Sequence, residues 1–380
     1  MKNKKFFSVI CFALFAEALI YSASKTSAKG NVIFGLTPLE AAASGDSPAF
    51  GGAYFAADVS LSNEYLTAAG KIYYRLGAAN AFSELSQKLE IKKAYVSIRP
   101  FGNNILEVSC GKLYSYYLSG NFFQLAEIYT GSSRWGKSGA GLQFKHAGFS
   151  AGLALPLSES YVKFSDEFGI NAALAYDFSE LNEAIALKVG SSLLYKHEKK
   201  EAEPELNDFS STLSLNYAPS IKSADSFISK PNLTLSFSIN SEPYVASSVF
   251  KNVSNYKNSD LKKANFASLN FRCNFKEVQV ILEGEAGHST EGSMIPLYAG
   301  LQLNIPFIQS LSFKPRFFYY AALDTTDSSA GRSTFEIYPR FIFSLKAWTI
   351  SAGADLKWKE SGKSEYLLDW SLPLYLEYKF

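Results

Sequence analysis

The last fifteen residues, Tyr366 to Phe380, alternate between two kinds of side chain with almost no break. Tyr366, Leu368, Trp370, Leu372, Leu374, Leu376, Tyr378 and Phe380 fall on one side of an extended chain, and Asp369, Ser371, Pro373, Tyr375, Glu377 and Lys379 fall on the other, with Leu367 the one aliphatic exception. A period of two is the strand period. An apolar face this long, aromatic near both ends, suits a strand with lipid outside and water inside better than a half-buried soluble strand.

The same alternation recurs from about residue 51 onward. In the segment from Thr334 to Lys346, Phe335, Ile337, Phe341, Phe343 and Leu345 face one way, and Glu336, Tyr338, Arg340, Ser344 and Lys346 the other. No segment beyond the N-terminus offers about 18 consecutive uncharged apolar residues, so a membrane-spanning helix is excluded there. A chain of this kind can cross a bilayer only as a closed barrel, in which every backbone polar group is paired. The 31 Phe and 23 Tyr among 380 residues supply the aromatic girdles that such a barrel needs. A large secreted β-sandwich or propeller is the soluble alternative, and its strands would leave too much apolar surface exposed.

The N-terminus reads as a secretory signal. Lys2, Lys4 and Lys5 precede a mainly apolar run from Phe6 to Tyr21, and small residues follow between Ser22 and Ala28, so cleavage after Ser24 or Ala28 is expected. Removing residues 1–28 takes Lys2, Lys4, Lys5, Lys25 and Glu17 from totals of 37 basic and 35 acidic residues, which leaves 33 against 34. That balance argues against nucleic acid as a partner. Cys110 and Cys273 share faces with aliphatic and aromatic neighbours, so they are read as small lipid-facing hydrophobes and not as a disulfide, a nucleophile or metal ligands.

Placing Phe380 at the periplasmic end fixes the sidedness of every connection, because antiparallel neighbours alternate. Segments near 79–87, 116–137, 159–168, 197–207, 241–263, 287–293, 324–333 and 360–365 become external loops, and mostly tight connections fall on the other side. The exception is the connection from Pro219 to Lys230. This threading predicts an all-β, transmembrane antiparallel barrel of about 16 strands, with 18 or 14 as alternatives, as one domain over residues 29–380. A candidate strand at Asn31 to Thr37 is left outside that count.

No catalytic site is expected. His146, His197 and His288 have no carboxylate or cysteine at metal-ligand spacing. His288 and Ser289 are adjacent, and neighbouring residues on an extended chain point apart, so one cannot activate the other. No cofactor is expected either. Passage or recognition remains, and the expected pore-lining charges are Lys188, Arg272, Glu283, Glu285, Lys314, Arg316, Glu336, Arg340, Asp355 and Lys357. Interspersed signs fit a water-filled pore.

Three resemblances add to this reading. The closing strand resembles the C-terminal strand of bacterial outer-membrane β-barrels, which implies that Leu376, Tyr378 and Phe380 form a signal read by the barrel-insertion machinery, with the outer membrane and its lipid as surroundings. The run Leu89 to Ile98, then Leu106 to Lys112, then Ser115 to Gly136 resembles the early strands of bacterial porins. That likeness implies a passive channel for small polar solutes, in which the loop over 115–136 folds into the pore with Glu127 and Arg134 near its narrowing; it also implies a homotrimer as one assembly. The stretch from Gly51 to Tyr54 through Thr67 to Gly70 resembles the N-terminal plug of long-chain fatty-acid transporters, which gives a hydrophobic-compound transporter as an alternative. A surface adhesin acting through 241–263 and the other external loops is a further one.

Overall fold

The computed structural model describes residues 26–41, 47–78, 85–102, 105–112, 138–156, 167–198, 206–220, 227–240, 264–289, 294–324, 332–360 and 365–380. Among them, eighteen antiparallel strands form one closed sheet. In chain order they are β1 (Ser27–Thr37 and Glu40–Ala41), β2 (Gly52–Ser62), β3 (Leu66–Ala78), β4 (Leu85–Ile98), β5 (Leu106–Lys112) and β6 (Ser138–His146). There follow β7 (Phe149–Pro156), β8 (Glu167–Asp177), β9 (Leu187–Glu198), β10 (Leu206–Tyr217), β11 (Ile228–Asn240) and β12 (Ala264–Phe275). The last six are β13 (Val278–Ser289), β14 (Met294–Ile308), β15 (Leu311–Phe313 and Arg316–Asp324), β16 (Arg332–Tyr338 and Arg340–Leu345), β17 (Trp348–Gly353 and Asp355–Glu360) and β18 (Tyr366–Ser371 and Leu374–Lys379).

Each strand pairs with its sequence neighbours, and β1 pairs with both β2 and β18, which closes the ring. The expected count of about 16 is therefore corrected to 18. One of the two added strands is at the N-terminus, where the segment left outside the count forms a full wall strand. Its closure is anchored at the last residue, where Gly30 and Phe380 exchange both backbone hydrogen bonds, at 3.1 and 3.0 Å. A Cβ on Gly30 would sit 2.8 Å from the Phe380 ring, so glycine lets the terminal aromatic lie across the seam.

The plug resemblance is also overturned. Residues 52–62 pair with β1 on one side and β3 on the other, so the stretch from Gly52 to Gly70 is wall apart from the turn at 63–65. Asn63 organises that turn: its Oδ1 accepts from the backbone N–H groups of Tyr65 and Leu66 at 2.9 and 2.7 Å. Arg99 then staples this turn to the next, donating through Nε to the Glu64 carbonyl at 3.0 Å and through Nη2 to the Asn63 carbonyl at 2.6 Å.

Two faces separate by parity. On the outside, Phe341, Leu345, Leu213 and Leu174 are each more than half exposed, as side chains built to meet lipid are. On the inside, Glu336, Glu285, Arg340, Ser97, Ser214 and Thr334 are buried. Both cysteines follow outward parity and form no disulfide with each other, but Cys273 is buried and not lipid-exposed. Among the described residues no helix is long and apolar enough to cross a membrane, a statement that leaves the barrel untouched.

A crease runs across five strands. The ladder breaks at Pro38 and Leu39 in β1, at Lys314 and Pro315 in β15, at Pro339 in β16, at Ala354 in β17 and at Leu372 and Pro373 in β18. These five are adjacent around the ring, because β18 closes onto β1. Proline has no N–H to give to a ladder, so each break needs a local repair. The neighbours supply it: Leu372 N–H donates to the Leu39 carbonyl at 3.0 Å, Ala354 N–H to Pro339 at 3.2 Å, and Lys314 N–H to Arg340 at 2.7 Å. Gly353 lets β16 and β17 close up at this point, because a Cβ there would lie 1.9 Å from the Pro339 carbonyl oxygen.

Candidate functional site

The inner face is lined very differently on its two sides. From β4 round to β12, small residues recur on the inward face, including Ser97, Ser109, Gly141, Ala173, Ser214 and Ser236. Their hydroxyls are satisfied across strands. Ser97 and Ser109 share a hydrogen bond of 2.6 Å, and Ser214 and Ser236 one of 2.7 Å. Asn216 extends the network, donating to Thr234 Oγ1 and Asn232 Oδ1, both at 2.8 Å. Such pairs satisfy one hydroxyl with the next along a smooth wall.

From β12 to β18 and on to β3, the inward positions carry charges and rings. Lys357 pairs with Glu336 at 2.6 Å, and Tyr338 donates its hydroxyl to the other oxygen of the same carboxylate at 2.5 Å. Arg340 pairs with Asp355, donates to the Ala354 carbonyl at 2.6 Å and to the Pro339 carbonyl at 3.3 Å, and lies 5.9 Å from the Tyr375 ring centroid. It therefore holds the crease from inside, a task that suits the fixed fork of a guanidinium. Lys359 pairs with Asp369. Glu283 accepts from Tyr298 Oη at 2.7 Å, Asn270 Nδ2 at 3.2 Å and Gln302 Nε2 at 3.4 Å, so neutral donors stabilise its charge.

The sequence-predicted charges divide accordingly. Glu336, Arg340, Asp355 and Lys357 converge on β16 and β17. Glu283 and Glu285 share the inner face of β13, where Glu285 is buried. Arg316 stacks over Tyr338, its guanidinium carbon 5.2 Å from the ring centroid, and Lys314 stands by parity on the same inner face, at the β15 break. Arg272 shares the inner face of β12, with its Nε buried and without a hydrogen-bond partner among the described residues. Lys188 is separate, at the start of β9, where it pairs with Asp177. Glu127, Arg134 and the whole of segment 115–136 lie outside the described residues. Leu376, Tyr378 and Phe380 occupy the outer face of β18, with Tyr378 4.6 Å from Trp348 and 6.2 Å from Phe380.

What the charge pattern alone did not bring out is the set of inward rings. Tyr73 lies 5.3 Å from Tyr54, and Tyr54 5.8 Å from Tyr375. Farther round, Tyr338 lies 5.7 Å from Phe318, and Phe318 stacks on Tyr298 at 6.1 Å with 18° between the planes. Parity held the signal: Tyr338 alternates with Glu336 and Arg340, and Tyr375 with Glu377.

Comparison with known proteins places this geometry. No protein-family model matches the sequence, and no curated protein matches it. Among solved structures, OccK5 (OpdH) of Pseudomonas aeruginosa is similar with a TM-score of 0.59 at 9% identity, over 94% of this chain and 98% of that one. The outer membrane protein OpdK of the same organism has a TM-score of 0.57 at 9% identity, covering 93% and 98%. OccK11 (OpdR), again from P. aeruginosa, has a TM-score of 0.52 at 13% identity, covering 93% and 96%. The chain therefore has the fold of these outer-membrane proteins, a closed antiparallel barrel that their length and its own match almost end to end.

Proposed function

We propose that this protein is an exported outer-membrane channel through which small polar solutes cross the lumen passively. The observation that carries the reading is a closed ring of 18 strands, apolar outside and lined inside by paired charges and satisfied hydroxyls. Barrels of 16 to 18 strands are wide enough to hold an aqueous path. Fixed charges of both signs on the wall favour hydrated solutes over lipid-like ones. The pore-lining roles of the inward charges, from Lys188 to Lys357, and the loop roles of Glu127 and Arg134 belong to this proposal. So do removal of the signal over residues 1–28, reading of Leu376, Tyr378 and Phe380 by the insertion machinery, and assembly as a homotrimer.

The test is current through the refolded mature protein in a planar bilayer. Stable stepwise conductance in potassium chloride is the expected result. A folded, inserted protein that passes no current would sink the proposal and favour a barrel that acts through its external loops. A second reading, a channel with a defined solute site, draws support from OpdK of P. aeruginosa, which was also solved with vanillate.

A further inference from the structure

Two inward-facing glycines show how the rings of the lumen are held. Gly35 on β1 pairs with Tyr54 on β2, and a Cβ on Gly35 would lie 2.1 Å from the Tyr54 ring. Gly300 on β14 pairs with Phe318 on β15, and a Cβ there would lie 2.7 Å from Tyr298 Oη and 3.1 Å from the Phe318 ring. In both places a ring lies down over a bare backbone instead of rising into the lumen. A ring flat against the wall turns one face to the bare backbone and the other to the channel.

Other inward rings adjoin these two, tilted against them. Tyr73, Tyr54 and Tyr375 run from β3 across the seam to β18, at centroid spacings of 5.3 and 5.8 Å. Arg340 continues the line of planar groups from Tyr375 to β16, where Arg316 covers Tyr338 and Phe318 follows. The nearby charges are largely spent on one another: Lys357 with Glu336, Lys359 with Asp369 and Arg340 with Asp355. The wall thus combines planar apolar faces with a dense set of fixed hydrogen-bonding groups, among them three matched ion pairs. On the opposite side, among the described residues, small side chains recur at Ser97, Ser109, Gly141, Ala173, Ser214 and Ser236.

We infer that the band from Tyr73 through Tyr54 and Tyr375 to Tyr338 and Phe318 is a binding track for uncharged saccharides. Their apolar ring faces would lie on the aromatic planes, and their hydroxyls would reach the partly exposed Asp355 carboxylate and the guanidinium edge of Arg316. A sugar ring matches this wall because it has an apolar face and a rim of hydroxyls, whereas a small anion needs an unmatched positive field. The inference rests on the channel reading and adds the solute class.

The experiment records current through single channels in potassium chloride while maltohexaose is titrated on the external side. Transient, saturable block is the expected result. Tyr54→Ala and Tyr375→Ala should each weaken the block about tenfold, the scale of one lost aromatic contact, and Tyr54→Phe should restore it. Each variant is first checked for the gel shift of a folded barrel on heating, and its own open current serves as its reference. A wild-type protein that conducts but shows no sugar-dependent block overturns the inference while leaving the channel standing. Block by benzoate or adenosine and not by maltohexaose overturns the saccharide assignment, as does sugar block undiminished in both alanine variants. No current at all overturns the channel and the track together.

Discussion

Replacing Arg340 tests whether the crease is held from inside the barrel. The Arg340 side chain is 8% exposed and serves three acceptors, the Asp355 carboxylate and the carbonyls of Ala354 and Pro339. In Arg340→Met the carboxylate keeps a long contact from Ser371 Oγ at 3.4 Å, and both carbonyls lose their side-chain donor. Removing one member of a buried ion pair costs about 3–5 kcal/mol, and the 30% exposure of the Asp355 side chain draws the figure to the lower end. A buried carbonyl left unpaired adds on the order of 1–3 kcal/mol, so the single variant should lose about 4 kcal/mol. Arg340→Met with Asp355→Asn removes the stranded charge, and should recover about 2 kcal/mol of that loss as a coupling between the two sites. Reversible urea unfolding from lipid vesicles, followed by tryptophan fluorescence, measures all four proteins of the cycle. A loss below about 1 kcal/mol for Arg340→Met, or strictly additive effects in the double variant, would refute the clamp.

The seam can be tested by cross-linking. Asn31 and Lys379 face each other next to the Gly30 and Phe380 hydrogen-bonded pair, so they form a non-hydrogen-bonded pair with closely spaced Cα atoms. Asn31→Cys with Lys379→Cys, in a chain whose Cys110 and Cys273 are serine, should oxidise to a cross-linked monomer in the folded state; failure to cross-link would argue against this closure. Lys357→Met leaves the Glu336 carboxylate, 3% exposed, with Tyr338 as its neighbour, and should shift the reversal potential in a salt gradient toward cation preference. An unchanged potential would remove this pair from the permeation path. Phe380→Ala removes the ring that covers Gly30 and should slow insertion by the barrel-assembly machinery several-fold in a reconstituted assay; insertion at the normal rate would put the signal elsewhere.

Period-two alternation made most of the wall legible in the sequence. It placed tight connections from His146 to Gly148, from Asn274 to Lys276 and near Lys346 and Ala347, within two residues of the observed turns at 147–148, 276–277 and 346–347, and it put Glu336 and Arg340 inside and Phe341 and Phe343 outside. The first strand was harder to read because Ser27 to Gly30 carries no apolar alternation and Pro38 breaks the strand before Glu40. Its partner, β18, has a clear pattern, but a pattern within one strand does not say which distant strand completes the ring. Opposite charges can be assigned to a face by parity, yet their pairing depends on register. Lys357 meets Glu336 because those two residues are directly opposed on β16 and β17, and the Pro339 and Ala354 breaks fix that alignment. The flat rings were hidden for a related reason: Gly35 and Gly300 look like ordinary strand glycines until their cross-strand partners, Tyr54 and Phe318, are known.

The crease has an evolutionary consequence. An open sheet can tolerate a proline by letting an edge strand fray, but a closed cylinder has no edge at which a broken row of hydrogen bonds could end. Each interruption must hand its unmet groups to the next strand until the row is complete again. Pro315, Pro339, Gly353, Pro373 and Arg340 are therefore expected to be inherited as one unit. A change at any one of them shifts what the others must supply, so homologous chains should keep or lose the set together, while the outward Phe and Leu residues on the same strands drift independently.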